Sequence, residues 1–137
     1  MIKGGSCSDN RGIVNFNNSF DLTEIKRIYT IQNVSLSFYR GWQGHQVEQR
    51  WFSAISGLFE IYLIAVDNWE KPSKNLKLTK YNLNSNNMNV LHVPSGYISC
   101  IKSNEKDSIL LAMSDYALGE IDDNYKFDIE YFRPIVK

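Results

Sequence analysis

What the chain lacks narrows its chemistry first. It has no net charge: fifteen Lys and Arg balance fifteen Asp and Glu over 137 residues. That argues against a broad basic face for nucleic acid and leaves room only for a local basic pocket. It has no apolar run near the ~18 residues of a membrane-spanning helix; its longest, IYLIAV at 61–66, has the length of a strand. It has two cysteines, Cys7 and Cys100. These make no disulfide framework, and neither has a second thiol at metal-binding spacing, so reduced thiols in a cytoplasmic protein are expected. The opening MIKGGSCSDN lacks the apolar core of a signal peptide. Internal repeats are absent, and the Asn-rich NLNSNNMN at 82–89 reads as a surface loop of turn formers.

What is there points to strands in one domain spanning 1–137. Hydrophobic residues at 43% and charged residues at 22% are those of a globular protein, long enough to bury a core. IKRIYTI (25–31) puts Ile25, Arg27, Tyr29 and Ile31 on one face. VSLSFYR (34–40) has the clearest period of two. RWFSAIS (50–56), Gly57 and LFEIYLIAVD (58–67) read as a hairpin. LKLTKYNL (76–83) alternates, NVLHVPSGYIS (89–99) turns at Pro94 and Gly96, and SILLAMSDY (108–116) is apolar on both faces as a central strand is. A weak helical pattern lies around 114–125, and IDDNYKFDIEYF fits a short helix or a closing strand. Eight or nine short strands with few helical signals predict an all-β sandwich or barrel.

The chemistry concentrates in RGWQGHQVEQRW, Arg40 to Trp51. Two histidines one residue apart would share a strand face and hold a metal with a third ligand from a facing strand. Here the pair reads Gln43-Gly44-His45, and the facing PSGYIS offers Ser99 where a histidine would be needed. Too few ligands converge for a metal site. His45 remains suited to general-base work, because its ordinary pKa lies near neutrality. Gln43 on the same face can orient a carbonyl, and Gly44 allows close approach of a ligand. Arg40 and Arg50 bracket the segment and suit diphosphate. Trp42 and Trp51 can stack on a base or sugar. The competing reading is structural: a strand histidine is commonly a satisfied residue and a strand Trp commonly core. His92, between Leu91 and Val93, is read as structural.

The motifs in order resemble the WxcM-like/FdtA-like sugar isomerases of the cupin superfamily and, more distantly, the dTDP-4-dehydrorhamnose 3,5-epimerases. Asp9-Asn10-Arg11-Gly12 is like their D-x-R-G opening, and Lys26-Arg27-Ile28-Tyr29 like K-R-V-Y. Arg40-Gly41-Trp42-Gln43-Gly44-His45 is like R-G-F-H-A-H, and Ser56-Gly57 like an N-G turn. Val93-Pro94-Ser95-Gly96-Tyr97 is like V-P-x-G-F, and Ser114-Asp115-Tyr116 like S-D-Y.

The resemblance implies a cupin double-stranded β-helix, or jelly roll, acting without metal or cofactor on a nucleotide-linked 4-keto-6-deoxyhexose, normally dTDP-linked. A base removes the proton beside the ketone, and a proton returns to the neighbouring carbon or to the opposite face. His45 matches the second histidine of the isomerase pair, Tyr29 a strand tyrosine that serves as acid or donor, and Arg40 the arginine before the motif glycine. Arg27, Arg50, Trp42 and Tyr97 are expected at the substrate. A homodimer is implied, with neither nucleic acid nor membrane as partner. Gln43, where the first histidine stands in the isomerases, leaves three outcomes: His45 working with Tyr29, a second donor such as Tyr97, or a binder of nucleotide sugar without turnover. The epimerases' buried carboxylate partner of histidine has no assigned position; Glu48 is set aside as too near in sequence, and Asp115 is a possibility.

Overall fold

The computed structural model describes residues 1–132. Its strands are β1 (Gly5–Asp9), β2 (Gly12–Phe16), β3 (Arg27–Ile31), β4 (Tyr39–His45), β5 (Arg50–Ser56), β6 (Leu58–Ala65), β7 (Leu78–Asn84), β8 (Leu91–Val93), β9 (Tyr97–Ser103), β10 (Ile109–Ser114) and β11 (Tyr125–Lys126). They form a β1–β2 hairpin, a four-stranded sheet in the order β3-β10-β5-β8, and a five-stranded sheet in the order β11-β4-β9-β6-β7. Every pairing between these strands is antiparallel. The all-β jelly roll expected from the sequence is what the chain forms.

The two large sheets close on a core drawn from alternate residues. Phe52 and Ala54 of β5 and Leu110 and Ala112 of β10 meet Phe59, Ile61 and Leu63 of β6 and Ile101 of β9. The intervening residues face outward and are covered too. Tyr62, Ile64, Ile98 and Cys100 lie under Phe127, Ile129 and Phe132, while Trp51 and Met113 lie under Ile2, Phe20 and Ile25. Burial on both faces explains why β6 and β10 read as unbroken apolar runs. Cys100 belongs to this packing, where burial pushes its thiol up to about 12, and Cys7 is an exposed free thiol.

Three expectations are corrected. First, VSLSFYR forms no strand over its first five residues: Val34 is 85% exposed, and β4 begins only at Tyr39. The alternation there has no sheet partner to bury it. Second, β5 and β6 are not a hairpin; they lie in different sheets. Gly57 carries the chain across at φ +76°, and a Cβ there would sit 2.0 Å from Ser108 Oγ. Ser108 Oγ instead accepts the Leu58 backbone N–H. Third, residues 114–125 contain turns and no helix, and the tail closes with the two-residue β11. The β1–β2 hairpin has no counterpart in the sequence pattern. Its strands are mostly exposed on both faces, so they carry no alternation, and its turn is held by Asp9 accepting from the backbone and guanidinium of Arg11.

Candidate functional site

A cavity of about 400 Å³ opens between the sheets where β3 and β5 face β4 and β9. Its lining follows the strand period of two. Arg27, Tyr29 and Ile31 come from β3, Gln43 and His45 from β4, Arg50 and Phe52 from β5, and Tyr97, Ser99 and Ile101 from β9. Arg40 joins them past an irregularity in the β4–β9 register between Arg40 and Gln43.

His45 is 6% exposed. Its Nδ1 lies 2.7 Å from the backbone oxygen of Asp123, so Nδ1–H donates and the lone pair resides on Nε2. Among the described residues Nε2 is the fully buried side-chain polar atom without a hydrogen-bond partner. Glu48 Oε2 stands 3.6 Å from it. Burial first, and then the charge of Arg50, lower the imidazole pKa; the Asp123 carbonyl and Glu48 act the other way. The ring therefore rests neutral and basic at Nε2.

Glu48 and Arg50 extend this arrangement to Tyr29. Arg50 Nε donates to Glu48 Oε2 at 2.5 Å, and another guanidinium nitrogen donates to the Tyr29 hydroxyl oxygen. Since that oxygen accepts from Arg50, its own hydrogen is free to donate elsewhere. Burial raises the Tyr29 pKa although Arg50 and Arg27 oppose the rise, so the phenol keeps its proton at neutral pH. The Arg27 guanidinium lies 4.6 Å above the Tyr29 ring.

The turn after β4 is fixed by one side chain. The Asp123 carboxylate accepts from the backbone N–H of Gln46, Val47 and Glu48, each at 2.9 Å. It thereby returns Glu48 toward His45 three residues after the strand ends. Gly44 permits the motif to sit here for a reason other than the one expected. A Cβ on it would come 2.1 Å from the Tyr97 carbonyl oxygen, so its bareness admits the neighbouring strand β9, not a ligand.

Gln43 lines the cavity and donates from Nε2 to Asn124 Oδ1 at 2.7 Å. Arg40 also lines it, with Nε donating to Asn33 Oδ1 at 3.1 Å. Arg50 is at the cavity, but its hydrogen bonds run to Glu48 and Tyr29, which makes it an internal clamp more than a free diphosphate ligand. Trp42 does not line this cavity. It is 1% exposed, packs edge-on against Phe132, and donates its indole N–H to the Ile129 carbonyl. It precedes Gln43 on β4 and so faces the outer cluster. Trp51 is likewise core, stacked on His92 with centroids 5.0 Å apart. His92 bonds Gln49 Oε1 through Nε2, in keeping with its structural reading. Asp115 is engaged by the Gln49 backbone and amide, which directs its carboxylate to Gln49.

Sequence reasoning passed over Glu48 and Asp123. For Glu48 a signal existed, the His45-x-x-Glu48 spacing at a strand end. Asp123 lies 78 residues from His45, and nothing local marks it. As for a metal, no group of three or more His, Cys, Asp or Glu converges among the described residues.

No curated protein matches the chain by sequence. Several solved structures match by fold. QdtA, a 3,4-ketoisomerase from Thermoanaerobacterium thermosaccharolyticum solved as a His-to-Asn mutant with TDP-4-keto-6-deoxyglucose, has a TM-score of 0.69 at 17% identity, covering 95% of this chain and 88% of that one. WlaRA, a TDP-fucose-3,4-ketoisomerase from Campylobacter jejuni, gives 0.65 at 23% identity over 96% and 90%. The dTDP-4-dehydrorhamnose 3,5-epimerase of Bacillus anthracis, with TDP and pyrophosphate bound, gives 0.72 at 14% over 98% and 83%. At these identities the likeness establishes the cupin jelly roll. The pattern of the family described as "FdtA: WxcM-like, C-terminal" matches residues 2–137. On that match, spanning nearly all of it, the chain belongs to the FdtA, WxcM-like C-terminal family.

Proposed function

We propose that this protein isomerises or epimerises a nucleotide-linked 4-keto-6-deoxyhexose, of the TDP type, by moving a proton beside the ketone. The observation that carries the reading is the fixed state of His45: Nδ1–H is spent on the Asp123 carbonyl, and a basic Nε2 is held in a cavity shared with the Tyr29 hydroxyl. The C–H bond beside the ketone breaks, its proton ends on Nε2, and the electron pair moves onto the ketone oxygen as an enolate. Tyr29 donates to that oxygen, the kind of directed donor that carries much of such catalysis. The N–H bond then breaks as the proton returns to carbon: to the opposite face in epimerisation, or, in isomerisation, to the former ketone carbon as the neighbouring hydroxyl passes its proton to the enolate oxygen. Arg27 and Arg40 at the cavity wall hold the diphosphate, and Tyr97 packs against the sugar or serves as a second donor. Family membership, the TDP-4-keto-6-deoxyglucose bound in one of the fold's neighbours and the TDP bound in another support the substrate class.

The same reading places the protein in deoxysugar synthesis for surface polysaccharide, as a cytoplasmic homodimer. No helix among the described residues is long and apolar enough to cross a membrane.

A second reading has its own observation. Gln43 cannot carry a proton at neutral pH, and its amide is engaged with Asn124. A protein that binds the nucleotide sugar without turning it over fits that side chain. The two separate in deuterated water with dTDP-4-keto-6-deoxyglucose followed by proton NMR. Deuterium entering beside the ketone faster than in the blank supports the enzyme, and the labelled carbon names the reaction. Broadened ligand signals without exchange support the binder. Neither exchange nor broadening overturns both.

A further inference from the structure

We propose that Glu48 is a second proton-transfer residue of this site, relaying the proton between substrate and His45. The proposal rests on the reading of the cavity given above and concerns a residue that reading leaves idle.

The geometry points to it in three ways. His45 Nε2 is sealed from solvent and has no hydrogen-bond partner, while Glu48 Oε2 stands 3.6 Å away. A proton bound for Nε2 meets that carboxylate. Glu48 is itself 7% exposed yet lines the cavity, and its recorded hydrogen bond comes from Arg50 to Oε2, leaving Oε1 unclaimed among the described residues. The Arg50 guanidinium offsets the cost of burying that carboxylate, and the unpartnered imidazole nitrogen beside it can accept a proton from it. Finally, Arg50 and the Asp123 carboxylate hold Glu48 from its side chain and its backbone N–H, so the carboxylate is positioned and not merely adjacent.

The step balances without any further reactant. The substrate C–H bond breaks and an O–H bond forms on Glu48, with the electron pair moving to the ketone oxygen. That O–H bond then breaks as N–H forms at His45 Nε2, leaving an imidazolium beside a carboxylate. The return to carbon reverses both transfers. The charged or titratable groups around His45 are Glu48 in the turn, Arg50 on β5, Asp123 before β11, Arg27 and Tyr29 on β3, Tyr97 on β9 and Arg40 on its own strand. Of these only Glu48 stands within 4 Å of Nε2 as a carboxylate.

The test is Glu48→Gln, which keeps an oxygen for Arg50, with Glu48→Asp as the conservative companion. An NMR titration of the His45 imidazole reads the coupling without any substrate. Loss of the carboxylate should lower the His45 pKa by about one unit, and Glu48→Asp should restore most of it. With dTDP-4-keto-6-deoxyglucose, deuterium exchange should fall at least ~100-fold in Glu48→Gln, with TDP affinity held. An unmoved His45 pKa overturns the proposal whatever the substrate is. Exchange within threefold of wild type overturns the relay even if the pKa moves. Absence of exchange in the wild type sinks the substrate reading instead, and an unmoved His45 pKa then still overturns the coupling of Glu48 to His45.

Discussion

Asp123 and His45, 78 residues apart in the chain, are joined by a 2.7 Å hydrogen bond from Nδ1–H to the backbone oxygen. One residue thus sets the histidine's tautomer with its carbonyl and the following turn with its carboxylate. The two duties are separable by mutation, because a side-chain change leaves the carbonyl in place.

Asp123→Ala removes the acceptor of three backbone N–H groups. The loss should destabilise the protein by ~2–4 kcal/mol, given the worth of hydrogen bonds to a charged group. Urea unfolding measures it. In the folded fraction, exchange should fall because Glu48 is no longer held toward His45. A variant as stable as wild type would mean the turn is held by other contacts.

His45→Asn should reduce deuterium exchange by ~10²–10⁴-fold, the usual range for a general base. TDP affinity, read by calorimetry, should change little. Equal loss of affinity and exchange would make His45 a binding residue.

Stability should depend on pH through the same ring. Burial and Arg50 hold the His45 pKa below its ordinary value, and burial does so for His92. The folded protein then binds fewer protons than the unfolded chain. This contribution is intact above about pH 6.5, the unfolded value, and is lost as pH falls through the folded pKa values. Urea midpoints at pH 7.5 and 5.5 should therefore differ, with the lower stability at pH 5.5. His45→Asn should flatten the difference, and a difference unchanged in that variant would refute the assignment.

Arg27→Ala and Arg40→Ala should each weaken TDP binding by ~10-fold, in line with a charge-assisted contact to phosphate. Trp42→Ala should act differently. It empties a core position beneath Phe132 and should cost ~3–5 kcal/mol, with TDP affinity unchanged in the folded protein. Weakened binding in the folded Trp42 variant would return that side chain to the ligand.

The fold class was legible because β3, β5, β6, β7, β9 and β10 carry either alternation or a doubly apolar run. Their sheet partners were not. RWFSAIS and LFEIYLIA look like the two arms of a hairpin, and only Ser108, some fifty residues on, reveals that Gly57 changes sheets. VSLSFYR misled because alternation records what a strand could bury and says nothing of whether a neighbour exists. At the site, His45, Tyr29, Gln43, Arg27, Arg40 and Tyr97 do gather in one cavity. Trp42 fell outside because the motif alternates, and its even step points to the other face. Asp123 was invisible because its role depends on a backbone oxygen, which every residue possesses.

The sheet order also dictates when the site can exist. Among the described residues, β3, β4 and β5, which carry Tyr29, His45 and Arg50, pair only with β8, β9, β10 and β11. During synthesis the first half of the chain therefore emerges with its reactive strands unmatched. They gain neighbours only when the segment from Leu91 onward arrives. Such long-range closure makes for slow assembly, and unmatched edges invite association with other chains in the interval. A ribosome-bound chain halted before β8 should thus hold the residues of the cavity but no cavity, and the protein's vulnerability to chaperone capture should end abruptly once β10 slots between β3 and β5.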